Sequence, residues 1–151
     1  MITFAPRSIA SWNYRLEGVS ELPAALVISI WKEEGRITLG GREYEVVKQS
    51  PMGGYWGIRR GDDVFADAQK VSAMLRTFEI GTPDLDLVLR PKSAFSRIFF
   101  IEQNDIRIGT IRPRNWFSRK GRIECDPLVP ELVQLFCLWI TAMMWRRSRR
   151  N

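Results

Sequence analysis

The C-terminal run Leu128–Trp145 constrains the fold more than any other part of the chain. Its sequence, LVPELVQLFCLWITAMMW, contains a single charged residue, Glu131, and is apolar around nearly the whole circumference of a helix. A helix of that kind is either enclosed by protein or embedded in lipid. Asp126 suits the N-cap, and the arginines after the run suit the negative end of the helix dipole, so we expect a helix over about 128–147.

Short apolar or alternating runs fill the chain before this helix, and Gly, Pro, Asn or Asp residues close them. Leucine occurs at every second position from Leu85 to Leu89, as expected for a strand with one buried and one solvated face. The runs predict eleven strands, near 12–17, 25–32, 36–39, 42–48, 55–60, 63–70, 74–80, 85–90, 96–103, 106–112 and 119–125.

A sheet of this size needs something to cover its apolar face and to remove its exposed edges. A sheet closed around the apolar helix meets both needs. We therefore expect a mainly β protein: a closed or nearly closed antiparallel β-barrel of about 11–12 strands around a central C-terminal helix. Residues 1–147 would form this single domain, and 148–151 a basic tail.

The alternative for the helix is a membrane anchor. Its 18 residues lie at the short end of the length that spans the hydrocarbon core, so a tail-anchored membrane protein stays open. If the helix instead fills a barrel, the arginines that follow it should emerge solvated and free at the far mouth. These arginines are Arg146, Arg147, Arg149 and Arg150.

Two segments repeat each other with the pattern S-A-x-x-R-x-F-x-I, at 72–80 and at 93–101. Alternation along a strand turns the Phe and Ile of each segment inward and places Arg76 and Arg97 at the rim of the apolar face. One interpretation is that these arginines cover the end of the core with their aliphatic stems. The other is that they form a pair that binds an anion.

The net charge of +6 is concentrated locally, because residues 1–106 hold 13 basic and 14 acidic side chains. The segment 107–122 has six basic residues and no acidic one, with Trp116 and Phe117 among them. The basic residues are Arg107, Arg112, Arg114, Arg119, Lys120 and Arg122. Arginine and exposed aromatic groups together favour binding to anionic phospholipid headgroups. The alternative is a solvated hairpin whose two aromatic residues pack inward.

Nucleic acid is a weaker candidate partner, since the balanced charge of residues 1–106 argues against a continuous basic groove. The chain has no histidine, which excludes the commonest nucleophile activation and general acid–base chemistry. The carboxylate pairs lie in or beside predicted turns. We therefore expect no catalytic residues, no metal site, no cofactor and no enzymatic activity. The first twenty residues lack a secretory pattern, so we expect a cytoplasmic protein, peripheral at the membrane.

The strand-rich run GYWGIRRGDDVFADAQKVSAMLRTFEI, then SAFSRIFFIEQNDIRIGTIRP, WFSRKGRIE and the final apolar helix resemble the tubby C-terminal-like superfamily. That group includes tubby, the phospholipid scramblases and the LURP-one-related proteins. The resemblance covers about residues 12–147 and implies a barrel of roughly twelve strands with the C-terminal helix threaded through it. It also implies association with phospholipids, but no phosphoinositide-binding position of tubby maps onto a residue of this sequence, and the scramblase leader and cysteine-rich segment are absent.

Overall fold

Burial alternates along the strands, as in β3, where Ala24, Leu26 and Ile28 are buried between half-buried neighbours. The computed structural model describes residues 1–50 and 53–150, with the backbone alone for residue 150. The strands are β1 (Ile2–Pro6), β2 (Tyr14–Glu17), β3 (Ala24–Ile28), β4 (Gly35–Leu39), β5 (Arg42–Lys48), β6 (Tyr55–Arg60), β7 (Asp63–Lys70), β8 (Phe78–Gly81), β9 (Asp86–Pro91), β10 (Phe99–Gln103), β11 (Ile106–Pro113) and β12 (Gly121–Cys125). The helix α1 spans Glu131–Arg150.

The twelve strands form one antiparallel meander that closes on itself. Each strand pairs with its neighbours in sequence, and β1 pairs with β12 through the partners Ile2↔Ile123 and Phe4↔Gly121. Closure removes the unpaired edges that an open sheet would expose. The predicted antiparallel barrel is therefore confirmed.

Helix α1 fills the barrel. Its residues from Leu135 to Trp145 are at most 2% exposed on every side. The indole nitrogen of Trp139 donates to the carbonyl of Val27 at 3.0 Å, and that of Trp145 donates to the carbonyl of Arg97 at 3.0 Å. Because β3 and the β9–β10 connection lie on opposite sides of the barrel, the helix contacts both walls. The predicted central position of the helix is confirmed. Across the described residues, no helix is long and apolar enough to cross a membrane.

Both ends of the helix are fixed to connections between strands. At its start, the Glu131 carboxylate accepts a hydrogen bond from the backbone N–H of Ser20 at 2.8 Å. The helix begins at Glu131 rather than near 128, because Asp126 caps a turn instead: its side chain accepts from the N–H of Leu128 at 2.8 Å. The helix also continues to Arg150, so residues 148–150 belong to it and are not a separate tail, and Asn151 lies outside the described residues.

One glycine makes room for the helix. A Cβ on Gly35 would overlap the carbonyl oxygen of Val27 and would lie 3.0 Å from the indole nitrogen of Trp139. Any side chain at this position would therefore separate the indole from its acceptor.

The sequence prediction missed β1 and extended several strands too far. Residues 29–32, 74–77, 96–98 and 119–120 were expected to belong to strands but lie in connections. Apolar residues gave the first three of these segments a strand-like pattern. The predicted inward side chains of the repeat, Phe78, Ile80, Phe99 and Ile101, are confirmed, since none is more than 1% exposed.

We expect Leu138→Asp to unfold the whole domain, because an unpaired carboxylate buried between helix and barrel costs several kcal/mol against a total stability of about 5–15. Leu128→Asp is the matched control, since Leu128 is 57% exposed just before the helix. Circular dichroism and chemical denaturation of both variants test this. A cooperatively folded Leu138→Asp variant would contradict the central position of the helix.

Candidate functional site

Six long connections gather at one end of the barrel, which we call the loop end. They are loop 1 (7–13), loop 2 (29–34), loop 3 (49–54, described except for 51–52), loop 4 (71–77), loop 5 (92–98) and loop 6 (114–120). Each loop is closed at its base by a backbone hydrogen bond, for example from Lys92 N to Ile98 O at 2.8 Å and from Val71 N to Thr77 O at 3.0 Å. The base of each loop therefore continues the ladder of the strands that it connects.

Arginines link successive loops around the loop end. Arg76 of loop 4 donates to the carbonyls of Ala94 and Ser96 in loop 5, at 2.7 and 2.9 Å. Arg97 of loop 5 donates to the carbonyl of Trp116 in loop 6 at 2.8 Å.

Arg119 of loop 6 continues the series, because it donates to the carbonyls of Ser8 and Ser11 in loop 1. Loops 4, 5, 6 and 1 are thus fastened in order by guanidinium groups. We call Arg76, Arg97 and Arg119 the linking arginines.

The linking arginines also lie over aromatic rings, as expected for a delocalised cation. Arg76 lies 5.4 Å from the ring centre of Phe99, and Arg97 lies 4.9 Å from that of Trp145. Both rim arginines of the repeated motif therefore stack at the end of the core and donate to loop carbonyls. Nη2 of Arg97 is buried and has no hydrogen-bond partner among the described residues. Burial lowers the pKa of both guanidinium groups without bringing deprotonation near neutral pH.

The loop end carries most of the exposed apolar surface. Of the fourteen large hydrophobic side chains exposed in the described part of the chain, nine lie in its loops: Ile9, Ile30, Trp31, Val71, Met74, Leu75, Phe95, Trp116 and Phe117. All four exposed aromatic residues are among them, with Phe95 97% and Trp31 86% exposed. The alternative in which Trp116 and Phe117 pack inward is wrong, because their exposures are 74% and 75%.

Charge is segregated between the two ends of the barrel. Among the described side chains, the six loops and residues 146–149 of the helix hold eleven basic and two acidic groups. The basic residues are Arg7, Lys32, Arg76, Lys92, Arg97, Arg114, Arg119, Lys120, Arg146, Arg147 and Arg149, and the acidic ones are Glu33 and Glu34. The connections at the opposite end hold five acidic groups and no basic one: Glu21, Asp62, Asp84, Asp105 and Asp126.

Four arginines and two exposed aromatic residues meet in a groove of about 460 Å³ between loops 5 and 6. They are Arg97, Arg112, Arg114, Arg122, Phe95 and Trp116. Arg112 and Arg122 are directly opposite each other on β11 and β12, where like charges are destabilising. Arg122 pairs with Glu124, whereas Arg112 and Arg114 have no ion-pair partner among the described residues. The groove therefore concentrates positive charge, of which the Arg122–Glu124 pair neutralises only a part.

The structure thus brings together most of the residues that the basic segment singled out, with two exceptions. Arg119 is buried as a linking arginine. Arg107 lies at the opposite end of β11, about 23 Å from Arg114 along an extended strand. There it stacks on Phe100, 4.5 Å from the ring centre. Lys120 is exposed beside the groove.

The expectation that the arginines after Trp145 are solvated and free is wrong for two of them. Arg146 is buried and donates to the carbonyls of Ser29 and Lys32 in loop 2. Arg147 forms an ion pair with Glu33 in the same loop. The helix terminus is therefore fastened to the loop end rather than protruding from it.

Below the loops, the Tyr14 hydroxyl is buried and has no hydrogen-bond partner among the described residues. Burial raises the pKa of this phenol well above its ordinary value of 10.0, although the charges of Arg119, Arg97 and Arg149 act in the opposite direction. The hydroxyl is therefore neutral at physiological pH and cannot serve as a general base. The described residues also contain no group of three or more acidic or cysteine side chains placed to hold a metal ion.

Comparisons with protein-family models, with curated proteins and with solved structures return no match for this chain. The interpretation of the loop end therefore depends on its own geometry and charge.

We expect Glu33→Gln to lower stability by roughly 1.5–3 kcal/mol at neutral pH, because Glu33 accepts hydrogen bonds from both Arg147 and Lys48. Burial alone would raise the pKa of Glu33, but the hydrogen bonds and charges of Arg147 and Lys48 lower it below its ordinary value of 4.5. A carboxylate with a lowered folded-state pKa stabilises the fold above the unfolded-state pKa and loses this effect as the pH falls through the folded-state value.

The difference in unfolding free energy between the wild type and Glu33→Gln should therefore have its largest value at neutral pH and decrease below pH 4.5. Urea unfolding across the acidic range measures it. Glu43→Gln is the control, since Glu43 forms an exposed pair with Arg36 at 3.9 Å that should contribute under about 1 kcal/mol. A difference for Glu33→Gln that stays constant in acid would contradict this assignment.

Proposed function

We propose that the protein is a non-enzymatic binding module whose loop end docks on membrane surfaces that contain anionic phospholipid. One observation carries the proposal: the exposed aromatic side chains lie at the same end of the barrel as the excess of basic groups. Surface-binding proteins place aromatic and aliphatic side chains in the headgroup layer and basic groups beside anionic lipids. The opposite charges at the two ends would also orient the barrel as it approaches such a surface.

The spacing of the loops supports an end-on arrangement. Because the strands form one meander, the loops alternate with the connections of the opposite end and occur at every second strand connection around the barrel. Exposed apolar residues occur on loops 1, 2, 4, 5 and 6, so contact with a flat surface would engage loops all around the rim. In this arrangement the barrel axis stands roughly perpendicular to the membrane plane.

We also propose that the chain belongs to the tubby C-terminal-like superfamily. The support is architectural: a closed twelve-strand barrel around a C-terminal helix is the fold that the sequence resemblance implied. Since one fold hosts unrelated functions, the membrane proposal depends on the loop end and not on this resemblance.

Replacing the four basic residues of the groove and its margin, Arg112, Arg114, Lys120 and Arg122, with Ser should leave the fold intact and weaken binding to vesicles that contain phosphatidylserine. Each basic group near a membrane contributes about 1 kcal/mol, so the loss should lie between roughly tenfold and a thousandfold at low salt. Arg119 is left unchanged because it links two loops.

The control for this variant replaces four basic residues outside the loop end, Arg42, Arg59, Arg60 and Arg107, with Ser. It removes the same charge and should bind almost as the wild type does. Vesicle sedimentation at low and high salt measures both variants. Equal losses in the two variants would show that net charge, and not the loop end, drives binding.

The loop tips should enter the headgroup layer. Trp31 and Trp116 are the two strongly exposed tryptophans of the six, so their fluorescence should shift to shorter wavelength on vesicle binding. The triple variant Trp31→Ser, Phe95→Ser and Trp116→Ser should lose the shift and about tenfold or more in affinity, since burying each side chain contributes up to about 1.5–3 kcal/mol. Binding of the wild type without a shift, fully reversed by salt, would contradict insertion.

The matched control is Leu22→Ser, Ile106→Ser and Leu128→Ser, three residues exposed by 57–67% away from the loop end. It removes apolar surface from the opposite end and should bind vesicles as the wild type does. Binding of the wild type to single-stranded RNA but not to vesicles would instead favour a nucleic-acid partner for the same aromatic and basic groups.

A further inference from the structure

A second basic pocket lies on the other side of the loop end, between loops 3 and 4. It has a volume of about 370 Å³ and is lined by Lys48, Lys70 and Arg147. The remaining lining residues are small, namely Gly53, Gly54, Ser72 and Ala73. This pocket shares none of its lining with the groove between loops 5 and 6.

The pocket has fewer negative than positive groups. Glu33 is the carboxylate that pairs with Lys48, at 3.1 Å, and with Arg147. Lys70 has no ion-pair partner among the described residues. Three cations are thus balanced by one carboxylate, which leaves two positive charges at the pocket.

The shift in the pKa of Lys70 agrees with an excess of positive charge at the pocket. Burial lowers the pKa of the Lys70 ammonium, and the charges of Arg147 and Lys48 lower it further, while Glu33 acts in the opposite direction. An anion in the pocket would relieve the repulsion among these cations.

Two of the three cations, Lys48 and Arg147, are held in place before any ligand binds. Trp56 is fully buried and donates its indole N–H to the carbonyl of Glu33 at 2.8 Å. Lys48 and Arg147 both lie over its ring, 5.2 and 5.8 Å from the centre. A Cβ on Gly54 would lie 2.5 Å from the Cβ of Lys70, so glycine at this position lets the lysine reach the pocket.

We propose that this pocket binds the phosphate monoester group of an acidic ligand, with Lys70, Lys48 and Arg147 as donors. A monoester carries up to two negative charges and three terminal oxygens, which matches two excess charges and three donors. A phosphodiester carries one charge and two such oxygens and matches less well. The phosphate group could come from a membrane headgroup or from a soluble metabolite. The inference rests on the proposed function only in the first case.

The test compares Lys70→Gln with Lys92→Gln. Both variants remove one positive charge from the loop end, but Lys92 is exposed on loop 5 and does not line the pocket. The probes are glycerol 3-phosphate in solution, measured by calorimetry, and phosphatidylcholine vesicles that contain phosphatidic acid or phosphatidylserine at matched surface charge. The first anionic lipid has a monoester headgroup, and the second has a diester and a carboxylate.

We expect the wild type to prefer phosphatidic acid, Lys70→Gln to lose that preference and about tenfold in affinity for monoesters, and Lys92→Gln to keep both. Lys70→Arg keeps the charge and should retain most of the binding. Equal effects of Lys70→Gln and Lys92→Gln, or a wild type that neither binds glycerol 3-phosphate nor prefers phosphatidic acid to phosphatidylserine, would overturn the proposal.

Two outcomes separate this inference from the proposed function. Vesicle binding that depends on the loop tips but shows no monoester preference would leave the membrane proposal standing and remove the phosphate site. Binding of glycerol 3-phosphate that depends on Lys70, without binding to any vesicle, would support the phosphate site with a soluble ligand and remove the membrane proposal.

Discussion

The fold depends on the contact between an apolar helix and the inner face of a closed sheet. Neither partner could be stable in water without the other: the helix is apolar all around, and the sheet turns the apolar side chains of its strands toward it. Trp139 and Trp145 each donate an indole N–H to the barrel wall or its loops, so the helix is positioned by directional contacts as well as by packing. The barrel is therefore a filled core and not a channel.

The direction of the helix contributes to the different charges of the two ends of the barrel. The chain enters the barrel opposite the loop end, where Glu131 is held by Ser20, and its C-terminus reaches the loop end, where Arg146 and Arg147 contact loop 2. The negative end of the helix dipole lies beneath the loops and favours cations there. The segregation of charge between the two ends thus begins with the helix and is completed by the loops.

The architecture could be predicted because burial determines the pattern of apolar residues in the sequence. Apolar residues alternate with polar ones along the strands and are uninterrupted along the helix. The sequence predicted the site only in part. Residues 112–122 form one side of the loop end, but Lys32, Lys48, Lys70 and Lys92 come from separate hairpins, and folding brings them to the same end. Residues 1–106 contain nearly equal numbers of basic and acidic side chains, but the fold does not distribute these charges evenly between the two ends of the barrel.

The loops themselves were mispredicted because an exposed apolar residue in a loop gives the same sequence signal as a buried one in a strand. Trp31 and Met74 fell inside predicted strands, although both side chains are more than 85% exposed in loops. A signal was available in the spacing of the loops. Ser8, Ser72, Ser93 and Asn115 each occupy the second position of a seven-residue loop, and Trp12, Arg76, Arg97 and Arg119 the sixth.

This repeated loop geometry explains how apolar side chains stay exposed on an ordered surface. A flexible loop would turn Phe95 or Trp116 back onto the barrel to remove it from water. The linking arginines prevent this, because they hold loops 5, 6 and 1 by their carbonyls and stack on the aromatic residues at the end of the core. The basic residues near the loop end therefore form two groups: Arg76, Arg97 and Arg119 fix the shape of the surface, and unpaired groups such as Arg112, Arg114 and Lys70 are the ones that we propose to bind an anion. A variant of the first kind should change both the fold and the binding, and a variant of the second kind should change the binding alone.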